Sequence, residues 1–136
     1  MVKQFFQTTL FFFISFSSLS QVFDWAFSIG STSSETAEDV VVNSSGEVYT
    51  VGRFSNTADF NPGASTTWLS SSGSGDVFIQ KVDNLGALIW AKRIGGASND
   101  GAKSVDVDAS GNVIVVGFFI GTVDFNPGAG TFNMTS

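Results

Sequence analysis

Short carboxylate-bearing motifs are the parts of this chain whose residue types and spacing are suited to metal binding. The hexapeptide DFNPGA occurs twice, at Asp59–Ala64 and at Asp124–Ala129. The segment DVDASGN at Asp106–Asn112 resembles the opening of a calcium-binding loop. Calcium takes about six to eight oxygen ligands, many of them carboxylates and carbonyls. The candidate calcium ligands are therefore Asp59, Asn61, Asp106, Asp108, Asp124 and Asn126.

Turn formation is the alternative explanation of the same motifs, and the sequence favours it. The bidentate Glu of a calcium loop would fall on Gly117, which has no side chain, and the related segment VVNSSGE lacks the first acid. In NPGA, Pro and Gly fit the second and third positions of a type II turn, where Gly takes a positive φ. The Asp before them is expected to accept hydrogen bonds from turn amides. We therefore predict structural motifs without a cofactor, and calcium binding stays open as the alternative.

The composition excludes several classes of catalytic and metal site. The chain has no Cys and no His, which excludes disulfides, Cys/His zinc sites and Ser-His-Asp or Cys-His triads. Twelve acidic residues against six basic ones give a net charge of −6, and without a basic stripe we expect no nucleic-acid partner. No other set of residues indicates catalysis, so we predict that the chain is not an enzyme. Abundant Gly, Val, Phe, Ser and Thr favour a β-rich fold.

The N-terminal segment 1–20 has the pattern of a signal peptide. One Lys precedes an apolar stretch at Leu10–Phe16, and the small residues Ser18 and Ser20 follow at the spacing of a cleavage site. A membrane anchor would need about 20 continuous apolar residues, and Thr and Ser interrupt this stretch. We therefore expect a secreted or cell-surface protein without a transmembrane anchor, whose mature chain begins at Gln21.

An internal repeat organises the rest of the chain. Shifted by 65 residues, Val22–Ser71 (the first copy) aligns without a gap on Ala87–Ser136 (the second copy), with 23 of 50 positions identical. The shared positions include Trp, Gly, Asp and Pro, which chance similarity in a Ser/Val-rich chain would not keep in one register. A period of this length indicates one supersecondary unit in each repeat.

Each unit is predicted to hold four antiparallel strands joined by tight turns. The connections at Asn43–Gly46, Asp83–Gly86 and Asp108–Gly111 share the pattern Asx-x-x-Gly, in which the Asx side chain caps the turn and Gly takes a positive φ. With no helical stretch, this describes an all-β fold of β-propeller blades. The predicted strands are 38–42, 47–54, 76–83, 87–95, 104–108 and 112–119.

Residues that recur at the repeat distance are expected to hold the units together. Phe60 and Phe125 are expected to pack against the sheet, and the Trp residues to pack between blades. The glycines inside strands, Gly52 and Gly117, indicate either close backbone approach between neighbouring blades or a β-bulge. The recurring structural residues are Trp25, Gly46, Gly52, Asp59, Pro62 and Gly63 in the first copy and Trp90, Gly111, Gly117, Asp124, Pro127 and Gly128 in the second.

The run from Trp90 to Gly128, WAKRIGG…SVDVDASGNVIVVGFFIGTVDFNPG, resembles the SBBP beta-propeller repeat of secreted bacterial proteins. The resemblance covers nearly all of the chain after the signal peptide. It is based on the Trp-Ala strand, the D-A-x-G-N turn, the V-x-V-x-G-x-F strand and a D-F-D-P-G motif. Both copies here have Asn in place of the second Asp of that last motif. The resemblance implies an exported propeller, often within a multidomain surface protein with a C-terminal sorting segment, and it does not imply an enzyme.

These observations predict an incomplete propeller in four parts. They are a signal peptide (1–20), the last strand of a preceding blade with its connecting loop (21–36), a complete blade (37–101) and the first half of a next blade (102–136). Since closed propellers use about four to eight blades, we expect an N-terminal fragment of a larger secreted or surface protein. The expected function is a noncatalytic binding or scaffold module, whose partners are further blades and a protein or glycan bound through loops. The alternative is the propeller part of a secreted hydrolase or lyase with catalytic residues elsewhere.

The signal-peptide prediction is tested by the intact mass of the exported product. We expect a mass that corresponds to a chain starting at Gln21 or an adjacent residue, because the small residues before it fit a cleavage site. A retained Met1 in exported material would contradict this prediction.

Overall fold

The computed structural model describes residues 24–136, which form ten β-strands and no helix. The predicted all-β class is therefore confirmed, whereas the signal peptide lies outside the described residues. No helix that could cross a membrane occurs between residues 24 and 136. The strands are β1 (Glu35–Val42), β2 (Val48–Phe54), β3 (Thr57–Asp59), β4 (Trp68–Ser70), β5 (Asp76–Val82), β6 (Leu88–Gly96), β7 (Gly101–Val107), β8 (Val113–Phe118), β9 (Thr122–Asp124) and β10 (Asn133–Thr135).

A four-stranded antiparallel unit of β1, β2, β5 and β6, here called the main sheet, occupies most of the predicted blade 37–101. Its strands carry alternating or continuous apolar residues and are long enough for the pattern to be read from the sequence. β9 and β10 extend the same sheet beyond β6. β7 and β8 form a separate antiparallel pair, here called the second sheet. None of these sheets closes on itself, so the propeller itself stays a prediction.

Short hairpins follow β2 and β8, outside the strands that the sequence predicts. β3 pairs with β4, and β9 pairs with β10, in the same register once shifted by the repeat distance. Ala58 lies opposite Leu69 in the first hairpin, and Val123 lies opposite Met134 in the second. These four strands have three residues each, which is too short to show an alternation of apolar and polar residues, so the sequence pattern does not predict them.

The segment from Trp25 to Gly30 differs from its predicted form as the last strand of a preceding blade. It contains no strand, and Gly30 makes only an isolated bridge to Asp59. The aligned contact in the second copy, Gly95 to Asp124, belongs to the continuous pairing of β6 with β9. β6 has strand neighbours on both edges, β5 and β9. The Trp25 segment, its counterpart in the first copy, has no described strand in the place that β5 takes beside β6.

The second sheet packs face to face on the main sheet, and this contact forms the larger apolar core. Buried Tyr49, Val51 and Val77 of the main sheet contact buried Ala102 and Val105 of β7. Trp90 of β6 is half-buried against the same core, with its ring 6.2 Å from that of Tyr49 on the same sheet. Burial of this kind stabilises by about 25 cal/mol per Å² of apolar surface removed from water.

A smaller core lies on the opposite face of the main sheet, under the first hairpin. Phe54, Ala58, Phe60 and Phe78 have no exposed surface. The ring of Phe60 lies 5.1 Å from the ring of Phe54 and 5.1 Å from that of Phe78. The expectation that Phe60 packs against the sheet is confirmed.

β-Bulges explain the glycines inside β2 and β8. The register of β1 against β2 shifts beside Gly52, and the register of β7 against β8 shifts beside Gly117. A Cβ on Gly52 would overlap the carbonyl oxygen of Thr36, and one on Gly117 would overlap that of Gly101. The close approach is therefore to the neighbouring strand of the same sheet. Of the two explanations that the sequence offers for Gly52 and Gly117, the β-bulge agrees with the structure and the close approach between neighbouring blades does not.

The bulge constraint predicts a large loss of stability for Gly52→Ala. We expect a decrease of about 3 kcal/mol in the free energy of unfolding, because the methyl group must displace the β1 backbone. Gly111→Ala is the control, since φ is 83° there but the Cβ position is open. That variant should lose about 1 kcal/mol through backbone strain alone. Urea unfolding measures both, and equal losses would contradict a steric constraint at the bulge.

Candidate functional site

The three Asx-x-x-Gly connections form the turns that the sequence predicts. In each, the side-chain oxygen of the first residue accepts hydrogen bonds from two backbone amides, over distances of 2.8 to 3.0 Å. The glycines have φ values of 79° (Gly46), 82° (Gly86) and 83° (Gly111). The side chain of Asn112, together with these amides, lowers the pKa of Asp108 and keeps it ionised as an acceptor. Asp108 thus has a structural role.

The aspartates of the two DFNPGA motifs cap the hairpin loops. One carboxylate oxygen of Asp59 accepts hydrogen bonds from the amides of Asn61 (2.9 Å) and Thr67 (2.8 Å). In the second copy, Asp124 accepts hydrogen bonds from the amides of Asn126 (2.9 Å) and Phe132 (2.8 Å), which align with Asn61 and Thr67. The backbone amide of Phe132 is the main cause of the lowered pKa of Asp124. The prediction that these acids bind turn amides is confirmed.

The prediction of a type II turn at NPGA is wrong. Neither Gly63 nor Gly128 has a positive φ. Instead, the side-chain oxygen of Asn61 accepts from the amide of Gly63, and that of Asn126 accepts from the amide of Gly128, both over 2.8 Å. The Asn side chain closes an Asx turn and removes the need for a left-handed glycine. This also gives the Asn of each motif a structural function of its own.

The six candidate calcium ligands are distributed over separate elements of the fold. Two lie on each hairpin loop, and Asp106 and Asp108 lie at the end of β7. The exposed Asp106 accepts a hydrogen bond from the amide of Val107 over 2.8 Å. Between residues 24 and 136, no three acidic side chains are grouped in a way that could hold a metal ion. The structure therefore brings none of the predicted sets together as a calcium-loop cluster.

A polar cleft of about 430 Å³ lies beside the first hairpin and is the candidate site for a polar ligand. Its carboxylates are Glu35 and Asp59, and Ser31 donates a hydrogen bond to Glu35 over 2.7 Å. Trp68 pairs with Asp59 across the hairpin and is 58% exposed. Hydroxyls, carboxylates and an indole ring at one end of a sheet are suited to binding hydroxyl-bearing groups. The lining residues are Ser28, Ile29, Gly30, Ser31, Glu35, Asp59 and Asn61.

Buried acids are the polar residues that sequence reasoning did not single out. Asp76 has no exposed surface, forms an ion pair with Arg93 over 2.7 Å, and accepts the amide of Ser72 over 2.9 Å. Asp100 accepts the amides of Gly96 (2.7 Å) and Ile120 (3.0 Å). Both acids tie loops to strand ends. The sequence does contain a signal for Asp100, since Glu35 occupies the aligned position in the first copy.

The capping role of Asp59 predicts a stability change that calcium does not modify. Asp59→Ala removes the acceptor for two loop amides, and we expect a loss of about 1–2 kcal/mol, comparable to the loss of a helix cap. The melting temperature should fall by the same amount in calcium and in chelator. Asp106→Ala is the control, because it removes one exposed local contact, and its melting temperature should stay near that of the unmodified chain.

A structural calcium site would give a different result. At 100 times its Kd, calcium would add about 2.7 kcal/mol to the unmodified chain. A large calcium-dependent rise in the melting temperature that Asp59→Ala abolishes would contradict the capping role.

Comparison of the chain with protein families, with curated proteins and with solved structures finds no match. Its function is therefore inferred from the geometry described above.

Proposed function

We propose that this chain is a noncatalytic repeat module of the β-propeller type, exported from the cell, which serves as a scaffold and binds a protein or glycan through its loops. The observation that carries the proposal is the face-to-face packing of consecutive sheets built from one repeated sequence. The resemblance of WAKRIGG and DFNPG to the SBBP repeat is in keeping with it. In a propeller, sheets stacked in this way present their connecting loops at the two ends.

The roles of the acids support a noncatalytic module. The repeated Asp residues accept backbone amides in turns. Asp76 binds Arg93 and the amide of Ser72 through one carboxylate oxygen, and Asp100 accepts two backbone amides. General acid–base chemistry on a glycoside uses two carboxylates positioned on either side of the reacting bond. Within the described chain, the two carboxylates that share the polar cleft, Glu35 and Asp59, are held by the hydroxyl of Ser31 and by two loop amides.

The polar cleft with Trp68 is the surface that we propose for ligand contact. Its side chains stand on a hairpin whose backbone is fixed by Asp59 and Asn61, so the ligand would meet a preorganised surface. Preorganisation lowers the entropy lost on binding. An exposed Trp beside polar groups is the residue type that contributes most where a binding surface excludes water.

Binding of extracellular glycans and surface proteins by the full chain, with export verified by mass, tests this proposal. We expect Trp68→Ala to lower the affinity for the bound ligand at least about tenfold, because a central aromatic contact is lost. Phe132→Ala is the matched control, since Phe132 is 63% exposed on the corresponding second hairpin and lies outside the polar cleft. It should leave binding unchanged.

The proposal fails if no immobilised glycan or surface protein is retained by the full chain, or if both variants bind as the unmodified chain does. Hydrolysis of a glycan by the purified chain would contradict the noncatalytic assignment.

A further inference from the structure

The internal repeat allows the surroundings of β8 to be compared position by position with those of β2. β1, β2, β3 and β4 have counterparts at the repeat distance in β7, β8, β9 and β10. β2 pairs with β1 on one edge and with β5 on the other. β8 pairs with β7, and no strand of the described chain pairs with its other edge. The counterpart of β5 is therefore the element to look for beside β8.

Beside the first copy, β5 makes two contacts that no other strand of the described chain supplies. Phe78 lies opposite Gly52 and fills the small core under the hairpin, where it has no exposed surface. Two residues later, the side-chain amide of the buried Gln80 donates a hydrogen bond to the carbonyl oxygen of Phe60 over 2.7 Å. One side chain fills the space, and the other ties the strand to the hairpin.

At the corresponding place in the second copy there is an apolar cleft of about 280 Å³. Phe119 and Phe125 line it and stand 5.1 Å apart at 83°, the same arrangement as Phe54 and Phe60. The difference is burial, since Phe119 and Phe125 are half-buried whereas the first pair is fully buried. The residues of this cleft that have counterparts in or around the small core are Ile94, Gly117, Phe119, Val123, Phe125 and Met134.

The cleft has the size and chemistry to take an aromatic ring. Apolar cavities of about 150 Å³ are known to bind benzene, and this one is larger. The ring of Phe78 lies next to Gly52 on β2, and Gly117 occupies the corresponding position on β8. A Cβ at Gly52 would come within 2.9 Å of that ring, so the absence of a side chain at this repeat position accommodates the Phe.

We propose that the β8 edge and this cleft bind an extended strand with the β5 pattern, supplied by another repeat of the same type. The strand lies antiparallel to β8, with its Phe opposite Gly117 and inside the cleft. Its Gln lies opposite Val115 and donates to the carbonyl oxygen of Phe125. The inference rests on the proposed repeat module and deepens it, because it names the segment that neighbouring units exchange. Main-chain hydrogen bonds give affinity and the alternate side chains give specificity, as in other cases of strand addition.

A strand accounts for more of the observations than other occupants do. A small apolar molecule would fill the cleft but would leave the backbone groups of the β8 edge unpaired, which exposed edges tend not to tolerate. A second copy stacked by its sheet faces would cover Ile114 and Val116, which are 53% and 62% exposed, and would leave the cleft empty. The β5 pattern satisfies both the edge and the cleft in one register, and the first copy demonstrates that register.

The test adds a fluorescent nonapeptide with the sequence of Gly75–Asp83 to the full chain. We expect saturable one-to-one binding, measured by anisotropy, with new protection of β8 amides in hydrogen exchange. The peptide with Phe78→Ala should bind at least about tenfold more weakly, because the cleft stays empty. The peptide with Gln80→Leu should also bind more weakly. These peptides leave the protein unchanged, so the comparison does not depend on how a protein variant folds.

A pair of protein variants locates the peptide. Met134 lines the cleft and Ile89 on β6 does not, yet both are 45% exposed. Met134→Lys places a charge at the cleft and should reduce binding of the unmodified peptide at least about tenfold, whereas Ile89→Lys should not. Absence of binding, equal binding of the Phe78→Ala peptide, or no effect of Met134→Lys would overturn the proposal. So would self-association of the chain that Met134→Lys abolishes and the peptide does not displace, since a second copy would then be the occupant.

Failure of this inference is distinguishable from failure of the proposed function. The glycan and surface-protein experiment depends on Trp68, which pairs with Asp59 of the polar cleft, whereas the peptide experiment depends on Met134, which lines the apolar cleft. Loss of peptide binding with retained ligand binding would reject the strand site alone.

Discussion

Apolar contact between successive sheets is the interaction on which the rest of this structure depends. The main sheet presents Tyr49, Val51 and Val77 to the second sheet, and burial of these side chains fixes the distance and angle between the two layers. Two β-sheets cannot come close enough for this contact unless each keeps a regular surface, and the turns between strands must therefore be tight. The capped Asx turns meet that requirement.

The same constraint determines what the polar residues can do. Most acids of the described chain accept backbone amides at turns or brace loops. These hydrogen bonds lower the pKa of Asp108 and Asp124, and Asp76 forms a buried ion pair with Arg93. The hydrophobic residues hold the layers together, and the acids hold the connections. The surface that we propose for ligand contact lies at the outer end of the main sheet, at Trp68 and the polar cleft.

Much of this fold could be predicted from the sequence, because long alternating strands and Asx-x-x-Gly turns have strong local signals. The strands around Tyr49 and Val77 and the turn glycines follow from such signals. The hairpin strands could not be predicted, since three residues carry no period. The turn at Asn61 was predicted with the wrong geometry, because a side-chain acceptor took the place of a left-handed Gly63. Of the candidate sites, the capping acids were predictable, whereas Asp76 and the clefts arise from contacts between distant segments.

Asp39 makes neighbouring copies complementary rather than interchangeable. One of its carboxylate oxygens accepts the hydroxyl of Ser104 over 2.7 Å and the amide of Val105 over 2.9 Å, and these contacts lower its pKa. Ser104 occupies the position in the second copy that Asp39 occupies in the first. Two identical copies would therefore set carboxylate against carboxylate, or hydroxyl against hydroxyl, at this contact. The contact between the two sheets therefore uses a position at which the two copies differ, a carboxylate acceptor in the first and a hydroxyl donor in the second.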